Sequence, residues 1–575
     1  MKKTFTSLLL ALIVLGAHAQ SSLRNLESAK QLKTFAAVYS ELERNFVDTL
    51  DTKKLFKNVI GYMLYQMDPY CTFYTEEETD DLKQMTTGKY GGIGSIISFH
   101  KEQKRCIISE PYADMPAAKA GLRRGDVIMA IDGKDLPQAP DSKVAQYNDS
   151  VSQCLRGVPG TKVKVTVKRI GEKELLHFDI ERSTITTPSI NYTTLTPDSI
   201  AYISLGGFTE HTARDMREIL QKYEQRGMQG LVIDLRDNGG GLMSEAIEIA
   251  NFFLPLGKEA VALRGKDPEG NKVYYTKSQP LNEKVPIVVM VNKSSASASE
   301  IVAGVLQDYD RAVIMGQNTY GKGLVQTSKH MPYETILKYT QSKYYIPSGR
   351  CVQAYKYNDG SPEILPDSLA KTFYTQNGRP VSDCGGIRPD IILPEDSLPN
   401  LMTYLSASNL IDDYVALYRS KHKTIAPAHE FRLTDQEYDE FTAYLKEKNF
   451  TYDQQTIKML EVLRKMAQFE GYGETSKAEF DALEAKLKHN EDYDYKYWKD
   501  KIRLLVEEAI IIDYYYQQGG FAHYFHTDKD CHKAIDLLKN KEEYRRLLTP
   551  PAKKKGKKIV QGTLRTPAYR ADLHG

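Results

Sequence analysis

The chain has 575 residues, with 77 Lys and Arg against 75 Asp and Glu, a net charge of +2, and 41% apolar residues. That length holds several domains, each able to bury its own core, and the composition is that of a soluble, multidomain protein. The balanced charge gives no electrostatic drive toward nucleic acid. Six cysteines, Cys71, Cys106, Cys154, Cys351, Cys384 and Cys531, are scattered without a Cys-x-x-Cys pair, which argues against a structural metal site.

The first residues have the three parts of a secretory signal: Lys2 and Lys3, an apolar run from Leu8 to Leu15, and the small-residue cleavage site Ala17-His18-Ala19. We therefore expect residues 1–19 to be a signal peptide, with cleavage after Ala19, a mature chain starting at Gln20, and export to a periplasm. An uncleaved leader acting as an anchor is the competing reading. No later segment has the ~18 consecutive apolar residues a membrane span needs. Across 20–85, Phe35, Val38, Tyr39, Leu42 and Phe46 recur at helical spacing, as do Leu55, Ile60 and Leu64 beyond a break at Asp48 to Thr52. Such a helical region buries its apolar face within the chain or in a homodimer, so packing rather than chemistry is expected there.

A second unit spans 86–185. Tyr90-Gly91-Gly92-Ile93-Gly94 precedes the apolar positions Ile96, Phe99, Ile107 and Ile108. Pro116 to Leu122, Gly125-Asp126-Val127-Ile128, Ile131-Asp132-Gly133 and Arg156 to Thr161 follow, with strands at Val163 to Val167 and Leu175 to Ile180. The pattern resembles a PDZ domain. The resemblance implies that the loop of Tyr90, Gly91, Gly92, Ile93 and Gly94 leaves amides free to hold a terminal carboxylate while a strand edge pairs with the peptide. It also makes Arg123 and Arg124, expected beside that groove, candidates for gating access. A β-rich module with only a structural role is the alternative.

The segment 186–396 reads as alternating strands and helices: strands Ile200 to Leu205 and Gly230 to Leu235 flank a helix from Thr212 to Arg226. Asp234-Leu235-Arg236-Asp237-Asn238-Gly239-Gly240-Gly241 follows, and glycines after a buried strand let the backbone turn sharply and aim amides at a ligand. Asp234, Asp237 and Asn238 lack the further ligands a cation would need. The apolar run Ile287 to Val291 then breaks at Asn292-Lys293 into Ser294-Ser295-Ala296-Ser297-Ala298-Ser299-Glu300 and a helical pattern, a strand, tight turn and helix. A serine there faces free amides and a positive dipole end, suited to a developing oxyanion, although capping alone also explains serines at a helix start. Downstream, Lys322 lies between Gly321 and Gly323 among apolar neighbours, where burial can lower an amine toward neutrality and make it a base. The phosphate-loop pattern fails, because Gly323 stands where Ser or Thr would be needed and Leu324 to Thr327 reads as strand. His100, His177, His211 and His330 lie in no recognisable catalytic motif.

Ser-Ala-Ser-Ala-Ser-Glu-Ile followed by Gly-Lys-Gly-Leu-Val-Gln resembles the signature of the carboxy-terminal processing proteases, tail-specific serine peptidases with a Ser/Lys dyad. The likeness runs from about Phe35 to about Pro394. In that family the lysine follows the nucleophile by 25 positions, which selects Ser297 over Ser295 and Ser299 as the partner of Lys322. The resemblance further implies that Gln326 orients the lysine and that the oxyanion hole is formed by the amides of Gly240 and Ala298. Gly241 is the rival donor, since Gly239 stands where the family usually has proline. The implied fold is multidomain α+β: a crotonase/ClpP-like α/β protease core, a PDZ module, N-terminal helices and a C-terminal helical extension. No metal or cofactor is required, and the implied partners are proteins or peptides with free, apolar C-termini. The competing class is a catalytically inactive PDZ-containing peptide-binding scaffold.

Tyr344 to Arg350 and Gly385 to Asp390 resemble the segments that close this core, the first being able to pair with a bound peptide. Over 397–550 the patterns become helical and charged, at Phe441 to Lys448, Ile457 to Phe469, Lys477 to Leu487 and Ile502 to Tyr516, and read as a helical accessory domain. The last stretch, 551–575, carries Lys553-Lys554-Lys555-Gly556-Lys557-Lys558 and reads as a basic flexible tail, with an adaptor or peripheral membrane contact as the other reading. In an exported chain Cys351 and Cys384 are the first pair to consider for a disulfide, against reduced thiols throughout.

Overall fold

The computed structural model describes residues 26–79, 84, 86–395, 398–488 and 490–550, so the leader and the basic tail expected from the sequence lie outside the described residues. Two compact units are formed. The smaller comprises the described residues up to Thr75 together with Ser328–Tyr339 and Tyr357–Ser361. It begins with a helix over 26–45. Asp51 then caps the helix Thr52–Tyr65 by accepting from Lys54 N at 3.0 Å, which accounts for the break read at Asp48 to Thr52. Phe35 and Tyr39 of the first helix meet Phe56 of the second edge-on, at 6.0 and 4.8 Å, while Val38, Leu42 and Phe46 stay exposed. The strand Thr72–Tyr74 pairs antiparallel with residues 336–338.

Among the described residues the larger unit has three core-bearing parts, the second with a separate buried cluster on each face of its sheet. The first belongs to an antiparallel sheet of Ser95–His100, Arg105–Pro111, Val127–Ile131, Lys162–Lys168 and Leu176–Glu181, with the helix Val144–Leu155 beside its first strand. Strict alternation makes it: in Lys162–Lys168 the three valines are fully buried and the outer lysines exposed. Cys106, Ile108, Ile128, Val151 and Leu155 join those valines in one cluster.

The second core is built on a six-stranded sheet in the order Ile190–Leu195, Ile200–Leu205, Gly230–Asp234, Ile287–Val291, Val313–Gly316 and Ile391–Ile392. The first pair is antiparallel and the rest are parallel. Every residue of Ile287–Val291 is buried because both faces are covered, as parallel sheets require. Ile287, Val289 and Val291 pack in the cluster of the helices Thr212–Gln225, Met243–Asn251 and Ala298–Asp308. Val288 and Met290 face the opposite way, onto Phe525, Cys531, Ile535 and Leu538. The second face is thus covered by the helices Lys529–Lys539 and Lys541–Leu547. Tyr544 Oη accepts from Ile287 N at 2.8 Å and donates to Ile287 O at 3.0 Å.

The third core gathers Leu405, Val415, Phe441, Leu445, Ile502 and Val506 from the helices Asn400–Ala407, Leu410–Lys421, Asp435–Glu447 and Lys499–Thr527. The last of these is broken at Tyr516 (φ 58°, ψ −169°), so that its beginning serves this cluster and its end, Phe525, reaches the core sheet. The PDZ-like sheet also meets these helices. Arg124 Nε lies 2.6 Å from Asp412 Oδ1, and His100 Nε2 is 3.1 Å from Asp413 Oδ1. This corrects the expectation that Arg123 and Arg124 border the peptide groove: they line a separate cavity of about 410 Å³ with Arg169, Arg419 and Lys423. No disulfide joins any of the six cysteines in this structure.

Candidate active site

The strand Ile287–Val291 ends in a turn tied to the neighbouring Asp237 loop. Asn292 Oδ1 accepts from Asp237 N and Ser294 N, each at 3.0 Å. Of the three serines that follow, Ser295 and Ser299 are fully buried. They give their hydroxyls to Leu235 O at 2.7 Å and Asn238 O at 2.8 Å. Ser297 is only half-buried and sits at the mouth of the helix Ala298–Asp308 with φ 58° and ψ −112°, a conformation that costs about 1–3 kcal/mol and recurs at sharp strand-to-helix nucleophile turns. Burial therefore separates Ser297 from its neighbours independently of any spacing. The strained peptide is held by Ser297 N donating to Glu300 Oε2 at 2.8 Å, and by its carbonyl accepting from Ile301 N at 3.0 Å and Tyr344 Oη at 3.3 Å.

Gly240 lies directly against this turn. It has φ 102°, and a Cβ there would fall 2.7 Å from Ala296 O, 2.9 Å from Ala298 N and 2.9 Å from Ser297 Cβ, so only glycine fits. The backbone of Gly240 and the amide of Ala298 are thus side by side next to Ser297. Gly240 N already donates to Asn238 Oδ1 at 2.9 Å, whereas the adjoining Gly241 (φ 145°) bridges to Phe208. Asn238 is fully buried and holds this loop from both ends: its Nδ2 donates to Leu205 O at 2.8 Å, and its carbonyl accepts from Ala296 N at 3.1 Å. Asp234 accepts from Tyr202 Oη at 2.7 Å and pairs with Arg236 at 2.6 Å, and Arg236 also reaches Asp528 at 2.6 Å. Asp234 is committed to that network.

Lys322 enters on the loop between Val313–Gly316 and the strand Leu324–His330. The loop is fastened by buried oxygens. Thr319 Oγ1 and Gly321 N donate to Glu300 Oε1 at 2.6 and 2.7 Å, Lys322 N donates to Glu300 Oε2 at 2.8 Å, and Gly323 N donates to Gln353 Oε1 at 2.7 Å. Ser297 and Lys322 therefore hang by their amides on one oxygen of Glu300. Full burial pushes the Glu300 carboxyl above the ordinary carboxylate value, opposed first by the Thr319 hydroxyl and then by the amides of Lys322, Ser297 and Gly321. Lys322 is half-buried. Gln326, also half-buried, donates from Nε2 to Thr340 Oγ1 at 3.0 Å.

In the PDZ-like part, Tyr90, Gly92, Ile93 and Gly94 line a cavity of about 250 Å³ with Leu155 and Arg156. Arg156 stands 5.2 Å from the centre of the Tyr90 ring. Burial pushes the Tyr90 hydroxyl up, and Arg156 opposes the shift. Gly91 faces elsewhere: its carbonyl accepts from Gly157 N at 3.2 Å, and a Cβ there would lie 2.2 Å from Gly157 O.

Glu300, Thr319, Asn238 and Gln353 went unassigned in the sequence. Only Glu300 carries a local signal, since a glutamate three residues after Ser297 has the spacing of a capping box.

Residues 199–370 match the model of peptidase family S41, residues 107–169 that of a PDZ domain, and residues 401–538 one described as "Probable PDZ-protease, C-terminal helical domain". The chain is 36% identical over 341 residues to a carboxy-terminal-processing protease of Bartonella bacilliformis, covering 58% of this chain and 76% of that one. It is 32% identical over 325 residues to a "Probable CtpA-like serine protease" of Staphylococcus haemolyticus, covering 56% of this chain and 63% of that one. Among solved structures, the photosystem II D1 C-terminal processing protease aligns at 25% identity and a TM-score of 0.35, over 64% of this chain and 88% of that one.

Proposed function

Because the chain belongs to peptidase family S41, among the carboxy-terminal-processing serine proteases that carry a PDZ domain, we propose that Ser297 is its nucleophile and Lys322 its general base. A neutral Lys322 amine takes the Ser297 hydroxyl proton as Oγ attacks the scissile carbonyl. The amide of Ala298 and that of Gly240 or Gly241 stabilise the tetrahedral oxyanion. Lys322 then passes its proton to the leaving amine as the C–N bond breaks. Neutral again, it deprotonates a water that attacks the acyl-enzyme ester, and it returns that proton to Ser297 Oγ as the acid product leaves. Gln326 orients the lysine. The observation that supports this reading is the single Glu300 oxygen, 2.8 Å from both the Ser297 and the Lys322 amide, which ties the two segments to one carboxylate. For the oxyanion, the Gly240 amide serves only by leaving Asn238 Oδ1, so Gly241 is a full rival.

The groove lined by Tyr90, Gly92, Ile93 and Gly94 holds a free, apolar C-terminus and presents the preceding chain for cleavage. A peptide with such a terminus tests this. Wild type cleaves the free acid, the C-terminal amide is cleaved at least about tenfold less efficiently, and Ser297→Ala binds the free acid without cutting it. Undiminished cleavage by Ser297→Ala excludes this nucleophile, and binding without cleavage by wild type favours the scaffold. The Lys2 to Ala19 pattern supports export into a periplasm. N-terminal sequencing of the mature protein then starts at Gln20, and a start at Met1 contradicts cleavage after Ala19 and favours the uncleaved anchor.

A further inference from the structure

Thr319 lies on the lysine loop, three positions before Lys322, and is 5% exposed. Its hydroxyl accepts from Ile387 N at 2.6 Å and donates to Glu300 Oε1 at 2.6 Å. Its own amide donates to Ile387 O at 3.2 Å, so Thr319 is anchored on both sides by the segment that closes the core. A threonine hydroxyl has one proton, and here the Ile387 amide occupies the acceptor side and leaves Glu300 as the target.

Glu300 collects four donors, of which three are the amides of Ser297, Gly321 and Lys322, and Thr319 supplies the remaining one. The amides belong to the loops whose mutual placement the site needs fixed. The terminal torsion of a glutamate is soft and nearly two-fold, so a carboxylate held on one side only can turn and mis-aim its second oxygen. Thr319 and Gly321 N together pin Oε1, which leaves Oε2 aimed at Ser297 N and Lys322 N.

We propose that Thr319 is a positioning residue of the peptidase site, fixing the plane of the Glu300 carboxylate so that one oxygen of it holds the nucleophile and the lysine in register. The role rests on the assignment of Ser297 and Lys322 and adds a residue to it. Without the hydroxyl, Glu300 keeps its three amides and loses its closest donor, while Ile387 N loses its acceptor. The effect falls on the placement of Ser297 relative to Lys322, and so on kcat, and leaves the distant peptide groove alone.

The test compares full-length wild type with Thr319→Val, which keeps the shape without the hydroxyl, and Thr319→Ser, which keeps the hydroxyl without the methyl. Thr319→Ala stands in if the valine form does not fold. On a peptide with a free apolar C-terminus, Thr319→Val or Thr319→Ala is expected to lower kcat about tenfold, equivalent to one misplaced hydrogen bond, with KM and peptide Kd within about twofold. Thr319→Ser restores kcat to within about threefold of wild type. Deuterium exchange over residues 319–324 rises in the hydroxyl-free form and returns to the wild-type level in Thr319→Ser. A hydroxyl-free variant with wild-type kcat overturns the role, as does a serine variant as impaired as valine, which would assign the effect to methyl packing. Cleavage that survives Ser297→Ala sinks the underlying assignment, whereas a dead Ser297→Ala beside a fully active Thr319→Val sinks only the role of Thr319.

Discussion

Replacing Glu300 with alanine is expected to lower kcat/KM about a thousandfold and to remove about 3 kcal/mol or more of stability. The carboxylate is fully buried and accepts from Ser297 N, Thr319 Oγ1, Gly321 N and Lys322 N, so alanine strands four donors away from bulk water. Each stranded donor costs about 1–3 kcal/mol, part of which a water entering the space recovers. The catalytic loss has a separate origin. Ser297 sits at φ 58°, and the Glu300 oxygen is among the few contacts that keep it there, so release lets the serine relax away from the lysine. Glu300→Gln separates the two effects. It keeps the volume and one carbonyl oxygen, but its NH₂ must face either Thr319 and Gly321 or Ser297 and Lys322. Glutamine is therefore expected to recover most of the stability and little of the activity. Steady-state kinetics with denaturant unfolding checks this, and a glutamine variant with wild-type kcat/KM would show that the carboxylate does not organise the site.

The fold class was legible because its patterns are local. Alternating valines in Lys162–Lys168 and the unbroken apolar run Ile287–Val291 identify a one-sided and a two-sided strand respectively. The family was legible in the segments around Ser297 and Lys322, where spacing and glycines are dictated by chemistry. Beyond Pro394 no family was recognised, because amphipathic helices repeat the same pattern in many folds. The match over residues 401–538 came only from comparison. That the helices Lys529–Lys539 and Lys541–Leu547 cover the second face of the core sheet was equally hidden, since an apolar stripe such as Cys531, Ile535 and Leu538 does not announce its partner. Arg124 was misplaced for a related reason: its carboxylate, Asp412, is 288 residues away in sequence. The Asn238 side chain that occupies the Gly240 amide was also invisible, because a run of glycines shows where a backbone can bend and not which of its amides a neighbour takes.

The account depends on Ser297 and Lys322 acting together, and the expected loss on removing either is the largest of all, more than about a thousandfold. A lysine amine lends basicity to the serine only where it is neutral and within reach, so the reactivity of the hydroxyl reports the pair. The most direct measurement is mass spectrometry of the intact and digested protein after treatment with a fluorophosphonate. The expected result is a single adduct on Ser297 in wild type, none in Ser297→Ala, and labelling slowed by about a thousandfold or more in Lys322→Ala. An adduct on another residue, or a Lys322→Ala protein labelled at the wild-type rate, would contradict it.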